Sequence, residues 1–158
     1  MTENDNRFMQ RAIELAKKGV DSNMGGPFGC VIVKDNKIVG EGHNMVTGTN
    51  DPTAHAEVVA IRNACIELNT FQLDECVIYT SCEPCPMCFG AIYWARPKRV
   101  FYACTKEDAA QIDFDDQFLY DELENEMSHR KIDFVNIMRG EAKVVFDEWA
   151  AKIDKVKY

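Results

Sequence analysis

The 158-residue sequence has no segment of the kind that directs a protein into or across a membrane. Its first residues, MTENDNRFMQRAIELAKK, lack the basic region and apolar run that mark a secretory signal. No uninterrupted apolar stretch approaches the roughly 18 residues that a membrane-spanning helix needs. We therefore expect a soluble, cytoplasmic protein with no membrane partner.

Internal repeats, low-complexity tracts and long linkers rich in proline, glycine or serine are also absent, so we expect one domain over residues 1–158. A surplus of basic residues is lacking as well, because 18 Lys and Arg against 26 Asp and Glu give a net charge of −8. An acidic chain repels phosphate backbones. The composition therefore disfavours a nucleic-acid partner and favours a small, uncharged substrate.

The seven cysteines do not indicate a disulfide framework, because their number is odd and no secretory signal accompanies them. Four of them fall in strand or helix patterns and are most simply buried small hydrophobes: Cys30, Cys65, Cys76 and Cys104. The other three are spaced three residues apart in YTSCEPCPMCFGA and need a separate explanation.

Hydrophobic periodicity predicts helices alternating with short strands. The predicted elements begin with a helix over 7–20 that ends near Gly19, two strands within 29–44 around an Asp35-Asn36 turn, and a helix from His55 to Asn69. A buried strand at 75–81, a helix from about Cys85 to Trp94 and a strand at 99–104 follow. The last predicted elements are short helices at 106–110 and 118–125, a final strand at 131–138 and a helix at 141–153. This order predicts a three-layer α/β/α domain with about five strands in its sheet.

Two of the three closely spaced cysteines share the first turn of a predicted helix. Pro84 keeps Cys82 out of the helix, whereas Pro86 suits the first turn, where its missing N–H costs nothing. Cys85 and Cys88 can therefore bind one ion, and the helix N-terminus favours their thiolates. Cys82 with Cys85 is the disfavoured alternative pair, since only the other pair shares a turn. A redox CxxC, which requires no third ligand, is the other alternative.

A third ligand is available in DPTAHAEVVA. His55 and Glu57 lie at the start of the second long helix, where Asp51 or Thr53 can cap and Pro52 can open the first turn. A helix N-terminus disfavours the imidazolium ion, so we expect a neutral, metal-binding histidine. One nitrogen and two sulfurs suit Zn²⁺, and three protein ligands leave the fourth position open, as in catalytic sites.

HAE followed by PCPMC is the H-x-E and P-C-x-x-C signature of zinc nucleobase deaminases. Together with GGPFGCVIVKD, HNMVTGTNDPTAHAEVVAIRNAC, YTSCEPCPMCFGAIYWARPKRVFYA and FDDQF, it makes the sequence resemble the small bacterial guanine deaminases over nearly its whole length. The resemblance implies a cytidine deaminase-like fold with a mixed sheet, one zinc ion per subunit, and hydrolysis of guanine to xanthine and ammonia. By resemblance, His55, Cys85 and Cys88 bind the zinc, and Glu57 carries protons without binding it.

The same resemblance implies which residues contact the purine. Phe28 would stack on the ring, Asn44 would hydrogen-bond the base, and Asp116 would face the amino edge of the substrate. Trp94 and Tyr158 would form walls of the pocket. Each has a structural alternative: Phe28 and Trp94 could be core aromatics, Asn44 a turn residue, Asp116 a loop cap and Tyr158 part of a frayed terminus.

The resemblance also implies a homodimer whose C-terminal segment, about residues 140–158, is exchanged between subunits.

Three other functions compete with guanine deamination. A tRNA adenosine deaminase shares the motifs but needs a basic surface, and a cytosine deaminase does not account for FDD or the terminal tyrosine. A binding module with structural zinc would have four protein ligands instead of three. Whether guanosine is also a substrate stays open.

Overall fold

The computed structural model describes residues 2–158, which divide into two compact units. The first unit extends to Asp116, and the second is Gln117–Tyr158. Among the described residues, no helix combines the length and the apolar character needed to cross a bilayer. The single domain expected over residues 1–158 stays a prediction.

The first helix, α1 (Glu3–Asp21), begins before the hydrophobic periodicity does. Thr2 is the N-cap: its hydroxyl accepts a hydrogen bond from the Asp5 amide, and the Asp5 carboxylate accepts one from the Thr2 amide. This reciprocal pair satisfies two of the amides that a helix start leaves without partners. Polar capping residues, instead of apolar spacing, therefore set where α1 begins.

Four strands form one mixed sheet in the order β2-β1-β3-β4. They are β1 (Gly29–Lys34), β2 (Lys37–His43), β3 (Val77–Cys82) and β4 (Arg99–Cys104). β1 is antiparallel to both of its neighbours, whereas β3 and β4 are parallel. The predicted hairpin turn is confirmed, because Asp35 and Asn36 both have positive φ angles. The parallel pair ends at the same edge of the sheet, where polar and sulfur side chains follow.

Helices α2 (Val46–Thr49), α3 (Ala56–Glu67), α4 (Pro86–Ala95) and α5 (Lys106–Ala110) complete the first unit. α3 is followed by Asn69 with φ 49°, and α4 by Arg96 with φ 57°. Asparagine tolerates this left-handed region, and Arg96 precedes a proline that prevents further helix. Both ends agree with the sequence prediction.

The sheet separates two apolar layers, as the period of two along a strand requires. Cys30 and Ile32 of β1 pack with the buried alanines of α3 and with Ile92 of α4. Val31 and Val33, which point to the other face, pack with Phe8, Ala12 and Leu15 of α1. Helices on both faces confirm the three-layer α/β/α architecture.

The sheet has four strands instead of five. The prediction of a strand at 131–138 is wrong, because no strand of the described residues pairs with this segment. Its apolar side chains are exposed instead: Ile132, Phe134, Val135 and Ile137. A β-branched sequence becomes a strand when a sheet edge pairs with it, and sequence alone does not supply that edge.

The second unit contains α6 (Gln117–Glu124), a short 3-10 helix (Met127–His129) and α7 (Arg139–Ala151). The helix predicted at 141–153 is thus present and begins two residues earlier, at Arg139. Lys143 and Asp147 form an ion pair one turn apart on its exposed surface.

Gly29 allows α1 to approach the sheet closely. A Cβ atom at this position would lie 2.1 Å from the Ala12 carbonyl oxygen and 2.5 Å from the Ala16 amide nitrogen. Both neighbours are helix backbone, which cannot rotate away, so α1 and β1 would have to separate.

We therefore expect Gly29→Ala to lower the free energy of unfolding by about 1–3 kcal/mol. Gly90→Ala is the matched control, because its Cβ atom would meet nothing within 4 Å and alanine favours a helix by about 0.5–1 kcal/mol. Denaturant unfolding of both variants measures the difference. A Gly29→Ala protein as stable as the native one would contradict the close approach.

Candidate active site

Two helix N-termini bring three metal-binding side chains together. His55 is the N-cap of α3, and Cys85 is the N-cap of α4, with Pro86 at its first position. Cys88 follows within the first turn of α4 and is fully buried. The expectation that Asp51 or Thr53 caps α3 is wrong, because the Asp51 carboxylate bonds the amide and hydroxyl of Thr53 in a turn before the helix.

The three donor atoms have the spacing that a tetrahedral zinc ion requires. His55 Nδ1 lies 3.5 Å from the sulfurs of both Cys85 and Cys88. All three donors lie within 4.8 Å of one another. Zinc bonds of about 2.0 Å to nitrogen and 2.3 Å to sulfur predict a nitrogen–sulfur separation of about 3.5 Å at the tetrahedral angle. The donor set therefore fits zinc, with one coordination position left open.

The two cysteines differ in acidity. The neighbouring Cys88, and a hydrogen bond with His55, lower the pKa of Cys85 to about 4 despite partial burial. The same Cys85 thiolate, followed by burial, raises the pKa of Cys88 above its usual range. The low pKa favours a thiolate at Cys85, and binding of a cation would displace the proton of Cys88.

Cys85 affects the ionisation of His55. Its hydrogen bond with the imidazole raises the pKa of His55, and burial opposes this effect. The expectation of a neutral histidine took account of the helix N-terminus and not of the Cys85 sulfur, which lies 3.5 Å from Nδ1, and it stays a prediction for the zinc-bound site. A metal ion that takes over the thiolate charge would remove this reason for protonation.

Glu57 lies beside the three donors without belonging to their cluster. Its side chain is in the first turn of α3 and is only 6% exposed. One oxygen accepts a hydrogen bond from Thr80 Oγ1 at 3.2 Å, and the other accepts one from Cys88 Sγ at 3.4 Å. Burial raises the pKa of this carboxyl group. A buried carboxyl with a raised pKa is suited to taking up and returning a proton near neutral pH.

Cys82 is directed elsewhere. Its sulfur donates a hydrogen bond to the Thr105 carbonyl oxygen at 3.5 Å, and it is absent from the cluster of metal-binding atoms found among residues 2–158. Burial, followed by the nearby Cys104, raises its pKa to about 12. The pairing of Cys82 with Cys85 as metal ligands, already disfavoured by sequence, has no geometric support.

Phe28 packs on the core and against a second aromatic ring that the sequence did not single out. The rings of Phe28 and Phe114 meet edge to face, with centroids 5.0 Å apart at 87°. Gly26 lies against both, since a Cβ atom there would be 2.7 Å from Phe114 and 3.0 Å from Phe28. The sequence feature that could have identified Phe114 as a site residue is its position directly before the two aspartates of FDDQF.

Asn44 is buried at the end of β2 and is held by its backbone and its carbonyl group. Its amide donates to the Phe28 carbonyl oxygen at 2.9 Å, and its Oδ1 accepts from the Val46 amide at 3.1 Å. Asn44 therefore acts as a turn residue, as its structural alternative predicted, and its Nδ2 group can donate a hydrogen bond to a ligand. A Cβ atom at Gly25 would lie 2.0 Å from Oδ1, so this glycine makes room for the side chain.

Asp116 is the last residue of the first unit and is half-buried. The charge of Cys85 acts on its carboxylate. Burial is the first cause that raises the pKa of this carboxyl group, and the Cys85 thiolate is the second.

Trp94 is 64% exposed, so the alternative that it is a core aromatic residue is wrong. Tyr158 belongs to the second unit and is exposed as well.

The comparisons with known proteins agree with this donor set. A family model described as the cytidine and deoxycytidylate deaminase zinc-binding region matches residues 2–104. The guanine deaminase of Bacillus subtilis (strain 168) is 54% identical over 155 residues, covering 98% of this chain and 99% of that protein.

Solved structures and more distant relatives agree as well. The X-ray structure of guanine deaminase from Bacillus subtilis superposes with a TM-score of 0.95 at 52% identity, covering 100% of this chain and 99% of that one. The tRNA-specific adenosine deaminase of Streptococcus pyogenes serotype M1 is 37% identical over 133 residues, which is 84% of this chain and 73% of that protein.

The geometry gives a direct test of the ligand set. We expect Cys85→Ser and Cys88→Ser each to abolish stoichiometric zinc binding, because a hydroxyl group is a much weaker zinc ligand than a thiolate. Cys82→Ser is the matched control and should retain zinc. Metal analysis of the purified proteins measures this, and loss of zinc from the Cys82 and Cys85 variants with retention by the Cys88 variant would reverse the assignment.

Proposed function

The chain belongs to the cytidine and deoxycytidylate deaminase family, and we propose that it hydrolyses guanine to xanthine and ammonia. The observation that carries this proposal is the buried Glu57 carboxyl beside a three-donor zinc site, in a chain 54% identical to a guanine deaminase over nearly its full length. Family membership supports zinc as the metal, and one ion per subunit follows from the single donor cluster of the described residues.

The chemistry requires a nucleophile and a proton carrier. Zinc held by His55, Cys85 and Cys88 would supply a water molecule whose pKa is lowered from 15.7 to about 7. In such a site Glu57 would take one proton from the water and give it to N3 of guanine, and would then take the proton of the hydroxyl group added at C2 and give it to the departing amine, which leaves as ammonia. Its hydrogen bond from Thr80 orients the carboxyl group, and because Glu57 is not one of the three metal donors, its carboxyl group can exchange protons repeatedly.

Four side chains of the first unit would hold the purine. Phe28 and Phe114 offer ring surfaces for stacking, and the Nδ2 group of Asn44 offers a donor for an acceptor on the base. Asp116 offers an acceptor for the N1–H and 2-amino groups of guanine. Trp94 and Tyr158 would wall the pocket once a second subunit is present.

A tRNA adenosine deaminase is the second candidate, since members of that group share the family. The match to the Streptococcus pyogenes enzyme covers 84% of this chain, whereas the match to the guanine deaminase covers 98%. The net charge of −8 also opposes an anionic RNA. Ammonia release from guanine, from other free bases and from a tRNA stem-loop separates the two functions.

Glu57→Gln should bind zinc and fold normally but lose about a hundredfold to ten-thousandfold of the guanine deamination rate, because glutamine cannot carry the proton. Glu67→Gln, an exposed position on the same helix, is the matched control and should be fully active. Ammonia release and zinc content are measured together. Appreciable turnover by the Glu57 variant would remove Glu57 from the mechanism.

We further propose that the protein acts as a cytoplasmic homodimer with an exchanged C-terminal segment. The second unit exposes many large apolar side chains for a 42-residue stretch, among them Val144, Val145, Phe146 and Trp149 of α7. Exposed apolar surface of this extent is typical of a protein interface. Exchange of identical elements gives a symmetric dimer at low cost, and the segment ending at Tyr158 would then cover the pocket of the neighbour.

A chain cut after Asp154 should keep its zinc and lose about tenfold to a hundredfold in guanine turnover, because the pocket would lose its cover and admit water. Removal of α7 as well should convert the dimer to a monomer. Activity assays, metal analysis and sedimentation test both variants. Full activity of the chain cut after Asp154 would exclude the covering role of Tyr158.

A further inference from the structure

Two loops leave the ends of the parallel strands β3 and β4 side by side. Cys82, the last residue of β3, pairs with Cys104, the last residue of β4. The first loop continues as Glu83-Pro84-Cys85 into the zinc donors of α4. The second continues through Thr105 and α5 to Asp116. The relative position of the two loops sets the distance between the metal donors and Asp116, whose carboxylate is proposed to recognise the purine.

Three hydrogen bonds join these loops. The Glu83 amide donates to the Cys104 carbonyl oxygen at 2.9 Å, and the Cys82 sulfur donates to the Thr105 carbonyl oxygen at 3.5 Å. The third uses a charged side chain, because the Lys106 amide donates to Glu83 Oε2 at 3.2 Å. A charge-assisted bond of this kind is stronger than a neutral one.

Lys106 is the first helical residue of α5 and directly follows its N-cap. Thr105 and Asp108 form a capping box in which each side chain accepts a hydrogen bond from the amide of the other. The Lys106 amide donates to Glu83 from the other loop, and the half-buried position of Glu83 shields this bond.

We propose that Glu83 is a positioning residue for purine recognition: its carboxylate holds the loop that leads to Asp116 against the loop that carries Cys85. The proposal rests on the function proposed above. Lys106 links the two carboxylates, since its amide donates to Glu83 and its charge acts to lower the pKa of Asp116, against the larger effect of burial. Without the Glu83 carboxylate, α5 and Asp116 can move relative to the metal donors, and small displacements of this kind are costly in catalysis.

The test is a double-mutant cycle on the full-length, zinc-loaded protein with guanine as substrate. The variants are Glu83→Ala, Asp116→Ala and the double variant, with Glu83→Gln as the conservative replacement that keeps an acceptor oxygen. Glu67→Ala is the control for loss of an exposed carboxylate. Steady-state rates, zinc content and thermal unfolding are measured for each. If Glu83→Ala does not fold, Glu83→Asp replaces it, because aspartate keeps the charge and withdraws the acceptor by one methylene group.

We expect Glu83→Ala to lose about tenfold in kcat/KM, mainly through a higher KM, while zinc content stays unchanged. Glu83→Gln should stay within about twofold of the native protein, and the double variant should be no worse than Asp116→Ala alone. Additive losses, a glutamine variant as damaged as the alanine variant, loss of zinc or native kinetics in Glu83→Ala would each overturn the proposal. Native turnover of guanine tests the proposed function independently of Glu83.

Discussion

The site depends on the meeting of two helix N-termini at one end of the first unit. His55 and Cys85 occupy equivalent N-cap positions of α3 and α4, and Cys88 follows one turn later. N-cap residues have extended backbone angles, so their side chains project from the helix end. Because both helices pack on the same face of the sheet, their starts present three donors to one point. The placement of the three donors is therefore a consequence of helix packing.

The electrostatic state of the site follows from this convergence. A thiolate, an imidazole and a second thiol lie within 4.8 Å of one another, so each group changes the pKa of the others. Glu57 lies next to them but is buried, and burial raises the pKa of its carboxyl group. Different side chains of this small site therefore have different roles: one set of groups can bind a cation, and a neighbouring carboxyl group can exchange a proton.

Small residues make the close approaches that this arrangement needs. Gly29 admits α1 to the sheet, whereas Gly25 and Gly26 leave room for the side chains of Asn44, Phe28 and Phe114. None of the glycines in the described residues has a positive φ angle, so space, not backbone freedom, is the reason for glycine here. The loops after β3 and β4 then connect the metal donors to the segment that ends at Asp116.

Periodicity, turn residues and ligand spacing are local properties, so they were sufficient to predict the three-layer architecture, the hairpin turn at Asp35-Asn36 and the grouping of His55, Cys85 and Cys88. Residues 131–138 look like a strand by composition, yet the four-stranded sheet does not include them. The folded chain leaves this segment out because a strand forms only where a sheet edge pairs with it. Folding also brings about the effect of Cys85 on the pKa of His55, the contact of Phe114 with Phe28 and the bond between Glu83 and Lys106. These depend on groups distant in sequence, and such proximity is set by packing alone.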